Sequence, residues 1–435
     1  MIPSPKTCFI NARLLDPASK TDTKGSLLSE NGKIVDFGAD VKAPPDALVI
    51  DLKGTCLAPG LIDIRVHTGE PGHEHKENFL TLSDAAAAGG VTAIAAMPNT
   101  DPIIDNVAGV AYIDRRAHKA KGVKTFPYAA MTVQCKGEEM TEMGLLAEAG
   151  VIGFTDGMRA VDNVRLLRRI MMYARSFDLL LLQPAVHPAL SEGALMNGGE
   201  TATRLGLSGL CSEAEALQVM VDLRLAEATG ARLHIGPVSM KESVDLIRAA
   251  KAKGIKVTCS TSPHYFTLTE QDVGDYRTFT KTMPPLRDET NRRAMVEGLA
   301  DGTIDIICSN HCPQDVDQKR LPYAQAAYGA IGIETLLAIS LRLVHEKKMT
   351  MLDLLASLTS KPAELLRLPL GRLAKGGAAD LVIFDPEKPW RIVNENLHSK
   401  SKNSPYDGMP VMGGAMMTIL DGRVVFDELT KSKAA

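Results

Sequence analysis

The chain has 435 residues, enough for two or three domains or for one large barrel with an addition. Lys plus Arg number 49 and Asp plus Glu 52, a net charge of −3, which argues against a nucleic-acid polyanion as the main partner. Hydrophobic residues make up 45% and charged residues 23%, a balance that excludes a largely disordered chain.

The opening MIPSPKTCFINARLLDP lacks a basic stretch leading into an apolar core, so no signal peptide is expected. The longest uncharged apolar segment, residues 85–98, is too short and too rich in Gly and Ala to span a bilayer. The seven cysteines are scattered and odd in number, and read as reduced, mostly buried thiols of a cytoplasmic protein. Cys308 and Cys312 form a C-x3-C pair, at most half a zinc site, with no second pair to complete it.

Both ends of the chain read as β-structure. TCFINARLLDP, SLLSENGKIVDFG and ALVIDLKGTCLAPG near the start, and ADLVIFDP, WRIV, MTILDG and RVVFDE near the end, are short strand-like runs split by Gly, Asp and Asn. Residues 1–58 and 370–435 are therefore expected to form one composite β-domain. Between them, strands are expected at 61–66, 92–97, 125–131, 151–155, 179–183, 232–235, 256–259 and 305–309. Several are followed by segments with 3.6-residue apolar spacing, clearest in SEAEALQVMVDLRLAEATG and KESVDLIRAAKAKG. Gly230 and Gly254 suit positions just past a helix end. A last helical stretch is expected from Met351. Eight strands alternating with helices over residues 59–369 predict an α/β fold, a (β/α)8 TIM barrel, whose active site would lie at the carboxyl ends of the strands. A doubly wound sheet is the weaker reading, because no G-x-G-x-x-G follows the first strand.

The predicted strand ends carry the most distinctive motifs: APGLIDIRVHTGEPGHEHKE, AAMPNTDP, GFTDG, RLHIGPVS, SPHYFTLTE, KTMPPLRDE and DIICSNHCPQD, with GRLAKGGAADLVIFDP near the end. In these stretches, in this order, the chain resembles the dihydroorotase branch of the amidohydrolase superfamily, in its longer bacterial form. The resemblance runs almost end to end. It implies a cytoplasmic barrel with a composite β-domain. Active members of the family cyclise carbamoyl aspartate to dihydroorotate in pyrimidine biosynthesis, using one or two zinc ions.

Against that pattern the chain departs at the site itself. The family's H-x-H-x-R becomes Arg65-Val66-His67-Thr68-Gly69, so a ligand is replaced by a permanent cation and the substrate-binding Arg by Gly69. Gln183 stands where the fifth strand delivers a His ligand, and Pro237 where the sixth delivers another. Asn310 replaces the Asp that serves as ligand and general base, Gln314 a substrate-contacting His, and Met283 an Asn. His67, Asn99, Asp156, His264 and His311 survive, and of the family's metal ligands only His67 and Asp156 remain. Two are fewer than the three protein ligands usual at a catalytic zinc.

No catalytic residue and no metal or other cofactor are therefore expected, with His67 and Asp156 the residues for any metal that did bind. Arg65 is expected to pair with Asp156 in place of zinc. A relocated site built from His67, His264, His311, His187 and Cys312 is the lesser reading. The resemblance is strongest to inactive dihydroorotase-like chains that act as structural subunits of aspartate transcarbamoylase. It implies a pseudoenzyme with that catalytic chain as partner, a homo-oligomer such as a dimer, and neither nucleic acid nor membrane as partner. An active zinc dihydroorotase or related cyclic-amide hydrolase, and a ligand-sensing pseudoenzyme, are the alternatives.

Overall fold

The computed structural model describes residues 6–120 and 122–429. The two chain ends meet in one eight-stranded sheet. Its order runs Arg423–Asp427, Pro410–Leu420, Leu381–Arg391, Cys56–Pro59, Thr7–Asp16, Thr21–Glu30 and Lys33–Gly38, with Leu48–Asp51 pairing on Thr7–Asp16. The join between the ends is the antiparallel pair of Cys56–Pro59 with Leu381–Arg391, in which Leu57 faces Ile383 and Pro59 faces Leu381. Leu14, Leu27, Ile34, Leu57, Leu381, Ile383 and Ile419 fill one core of this sheet.

The remaining strands form a TIM barrel of parallel strands. Leu61–Val66, Val91–Ala96 and Lys124–Pro127 make one arc, and Leu180–Gln183, Arg232–Ile235, Val257–Thr261 and Ile306–Ile307 the other. Most are buried nearly throughout, which is why they read as continuous apolar runs rather than alternating ones, while Lys124–Pro127 is half-buried. The arcs close at two places. Val66 bridges His311 on one side. On the other, Phe154 bridges both Ala129 and Leu181, its N–H donating to Leu180 O at 3.0 Å and its C=O accepting from Leu182 N at 2.9 Å.

The strand expected at 151–155 is thus reduced to a single bridging residue. Gly153 packs so tightly that a Cβ would lie 2.9 Å from Leu182, and the Asp156-Gly157 turn follows at once.

Helices begin and end where local chemistry dictates. Asn78 caps Phe79–Ala88, its Oδ1 accepting from Leu80 N at 2.9 Å and Thr81 N at 3.1 Å. Gly230, at φ 70°, ends Glu213–Thr229, and Gly254, at φ 77°, follows the end of Lys241–Ala252. The single helix expected from Met351 is two, Met351–Leu358 and Ser360–Leu366. Pro362 has no N–H to continue an unbroken ladder, so the chain breaks at Thr359 and restarts with Pro362 in its first turn. Lys124 fastens barrel to sheet, its Nζ donating to Asp380 at 2.6 Å and Asp421 at 2.8 Å. All seven cysteines are free, five of them buried. Among the described residues, no helix is long and apolar enough to cross a membrane.

Candidate active site

Arg65 is the penultimate residue of the first barrel strand and is only 6% exposed. Its Nε donates to Asn310 Oδ1 at 3.0 Å and one Nη to Gly157 O at 3.0 Å, with Met158 Sδ at 3.8 Å. All three acceptors are neutral. The expected pair with Asp156 does not form. Instead, Asp156 accepts from Thr132 N at 2.9 Å through one oxygen and from the Thr132 hydroxyl through the other. Thr132 captures the carboxylate because it lies beside the third strand end, on the segment where Thr155 N bonds back to Ala129 O. Burial pushes the Asp156 carboxyl up to about 6 against those hydrogen bonds.

The surviving histidines gather around Arg65. His67 donates its backbone N–H to His311 O at 2.9 Å. Among the described residues its buried Nε2 has no partner, and burial, then Arg65, hold its imidazole down to about 3. His264 is fully buried, shares a hydrogen bond of 3.0 Å between Nδ1 and the Tyr406 hydroxyl, and stacks on that ring. Its Nε2 has no partner among the described residues, and burial, then His311, hold it down to about 3 as well. His311 accepts from Gly332 N through Nδ1, which leaves Nε2 directed toward Glu77 Oε2 at 3.7 Å. Both residues of that pair are fully buried. Burial would raise the Glu77 carboxyl, but His311 and the hydroxyls of Ser399 and Thr81 hold it below the usual range.

Glycines shape the floor. Gly69 sits at φ 70°, and a Cβ there would lie 2.4 Å from Glu77 O, so no arginine fits that backbone. Gly157, at φ 75°, has its Cβ position 2.7 Å from the Asn99 amide, whose Oδ1 is buried and unpartnered.

The remaining positions turn elsewhere. Gln183 accepts from Val161 N at 3.1 Å and donates to Val161 O and Asp222 Oδ1, both at 3.3 Å. Pro237 is buried beside Gly236, whose N–H donates to Gln183 O at 3.0 Å. Met283 packs against Val186, Ala194, Leu210 and Ala214. Gln314 donates to Tyr328 O at 2.9 Å. Sequence reasoning missed Glu77, Thr132 and Tyr406 as neighbours of the site. Only Glu77 carried a signal, as an acid within the GEPGHEHKENF stretch.

This arrangement is a poor host for zinc. Both Asp156 oxygens are engaged, and a buried guanidinium, which has no lone pair and repels cations, stands two residues from His67. Among the described residues, no three of His, Cys, Asp and Glu come together as a metal would require. The relocated set of His67, His187, His264, His311 and Cys312 does not assemble either. What the mouth offers is a fixed cation and, at His67 and His264, imidazoles that burial keeps neutral.

A barrel with its mouth at the strand ends, joined to a sheet from both termini, is the architecture of the amidohydrolases. Residues 54–243 match the family model described as Dihydro-orotase-like, and residues 321–426 that of the Amidohydrolase family. A dihydroorotase of Wolbachia sp. subsp. Drosophila simulans (strain wRi) is 44% identical over 425 residues, covering 97% of this chain and 96% of that protein. One from Geotalea daltonii is 45% identical over 413 residues, 95% of this chain and 97% of that protein. Among solved structures, L-hydantoinase (dihydropyrimidinase) from Arthrobacter aurescens superposes with a TM-score of 0.88 at 25% identity, covering 98% of this chain and 96% of that one. The dihydropyrimidinase of Brevibacillus agri NCHU1002 gives 0.84 at 23% identity, covering 97% and 95%, a likeness of fold. The chain belongs to the dihydroorotase family.

Proposed function

We propose that this chain is a dihydroorotase homologue of pyrimidine biosynthesis that has no catalytic zinc and no hydrolase activity. The observation that carries this reading is the buried Arg65 guanidinium bonded to the Asn310 amide. In the family pattern these positions hold a metal ligand and the general base. An amide cannot take up a proton near neutral pH, and loss of a general base alone costs about 10²- to 10⁴-fold. Loss of the metal that generates hydroxide adds to it.

The role that remains is structural. The resemblance to inactive dihydroorotase-like subunits supports assembly with the catalytic chain of aspartate transcarbamoylase, as a homo-oligomer. Light scattering of the two chains mixed, alongside assay of the transcarbamoylase, tests this. A transcarbamoylase that is stable, active and unchanged in mass without this protein overturns it.

The second reading is a working zinc dihydroorotase, favoured by the relatives' name and by their 41–45% identity. Near-stoichiometric zinc in protein purified without chelator, together with zinc-dependent turnover of dihydroorotate, would establish it in place of the first.

A further inference from the structure

A cavity of about 690 Å³ opens beside the loop that follows the last barrel strand. That size is typical of a small-molecule site. Gln314 alone among the family-position residues reaches it, so it is separate from the Arg65 centre. Its walls come from residues 276–279, 314–323 and 394–407, three segments distant in sequence.

The charge on those walls is lopsided. Arg277, Lys319, Arg320 and Lys402 face Glu395 and Asp407, four basic side chains against two carboxylates. Lys402 is already occupied, donating to Leu397 O and to Ser399 O at 2.8 Å. Arg277 and Arg320 are exposed, and among the described residues neither guanidinium has a hydrogen-bond or carboxylate partner. Lys319 is different, being 4% exposed with Nζ donating to Thr278 O at 3.0 Å and Ala327 O at 2.7 Å. An ammonium has three hydrogens, so one is left over. Burial holds this amine down to about 7.

The same cavity has aromatic walls in Tyr276, Phe279 and Tyr323. Tyr276 is fixed by its hydroxyl, which donates to Leu205 O at 2.8 Å. Two free guanidiniums form forks that match phosphate oxygens, and flat rings offer stacking to a heterocycle.

We propose that this cavity binds a small polyanion carrying a planar ring, of the nucleoside-phosphate class, with Arg277 and Arg320 on the phosphates and an aromatic wall on the ring. The inference does not depend on whether the barrel mouth is catalytic.

Isothermal titration of the full chain with ADP, inorganic pyrophosphate and adenosine tests it. ADP should bind more tightly than pyrophosphate, which lacks the ring, and more tightly than adenosine, which lacks the charge. Arg277→Ala with Arg320→Ala should weaken ADP by about 10-fold or more while leaving adenosine unchanged. Both side chains are exposed, so the variant should keep the wild-type circular dichroism and melting temperature. No ADP binding at millimolar concentration, equal affinity for ADP and pyrophosphate, or ADP binding indifferent to the double substitution would each overturn the proposal.

Discussion

Arg65 Nε donates to Asn310 Oδ1 at 3.0 Å, and this bond ties together the ends of the first and last barrel strands, neighbours where Val66 bridges His311. It gives a buried cation a neutral partner. A carboxylate at position 310 would supply the missing counter-charge, and pairing would lower that carboxyl's folded pKa below its unfolded value of about 3.9. The stabilisation would be fully present above that value and lost as pH falls through the folded pKa. Urea unfolding of Asn310→Asp should therefore show a gain of about 1–3 kcal/mol at pH 7 that closes below about pH 4. A variant less stable than wild type at pH 7 would mean that Arg65 lacks nothing.

On the proposed reading, the same substitution should not produce catalysis. Arg65→His combined with Asn310→Asp restores two family residues, but Gln183 stays bonded to Val161 and Asp222, and Pro237 has no donor atom. The Gly69 backbone rejects a side chain, so the substrate anchor is still missing. Dihydroorotate turnover by the double variant should remain at background with or without added zinc. Measurable zinc-dependent turnover would show that the remaining residues can rebuild the site.

The sequence made the barrel legible because buried parallel strands leave uninterrupted apolar runs, and the helices after them keep their period and their closing glycines. The fourth strand was misjudged in length, because one bridging residue and a five-residue strand leave the same apolar signature. At the site, the losses at Arg65, Gln183, Pro237 and Asn310 could be read from the family pattern. Where the side chains went could not. A carboxylate near an arginine suggested a pair, yet Asp156 took Thr132, a residue outside every motif. Local hydrogen bonds across the third and fourth strand ends decided the matter, and they exist only once the strands are in register.

Arg287 offers a contrast within the same barrel. It is 2% exposed, and its Nη2 donates to Glu215 Oε2 at 3.3 Å, its Nε to Ser239 Oγ at 3.0 Å and its Nη1 to Asn197 Oδ1 at 2.8 Å. Glu215 is fully buried and also accepts from Ser239 N and Met240 N. Arg287→Met strands that carboxylate and should cost about 3–5 kcal/mol. Arg65→Met strands only neutral acceptors and removes an uncompensated charge, so its cost should stay under about 2 kcal/mol. Denaturant midpoints of the two variants give the comparison, and equal losses would mean that Arg65 has a charged partner after all.

Asp222 supplies the last test. It is fully buried on the helix Glu213–Thr229, where Gln183 Nε2 at 3.3 Å and Gln218 Nε2 at 3.0 Å donate to one oxygen and the other oxygen has no partner. Burial pushes its carboxyl up to about 8, against those two hydrogen bonds. An acid raised in this way is protonated in the folded state while its unfolded counterpart ionises above about pH 4. The unfolded chain then binds fewer protons than the folded one between about pH 4 and 8, so this group lowers stability as pH rises across that window and levels off above it. Asp222→Asn removes the titration and leaves an amide for the same two glutamines. The variant should match wild type near pH 4 and exceed it by about 2–5 kcal/mol at pH 8. Parallel stability–pH profiles for the two proteins would show that Asp222 is ionised in the fold and that its burial is offset by something other than Gln183 and Gln218.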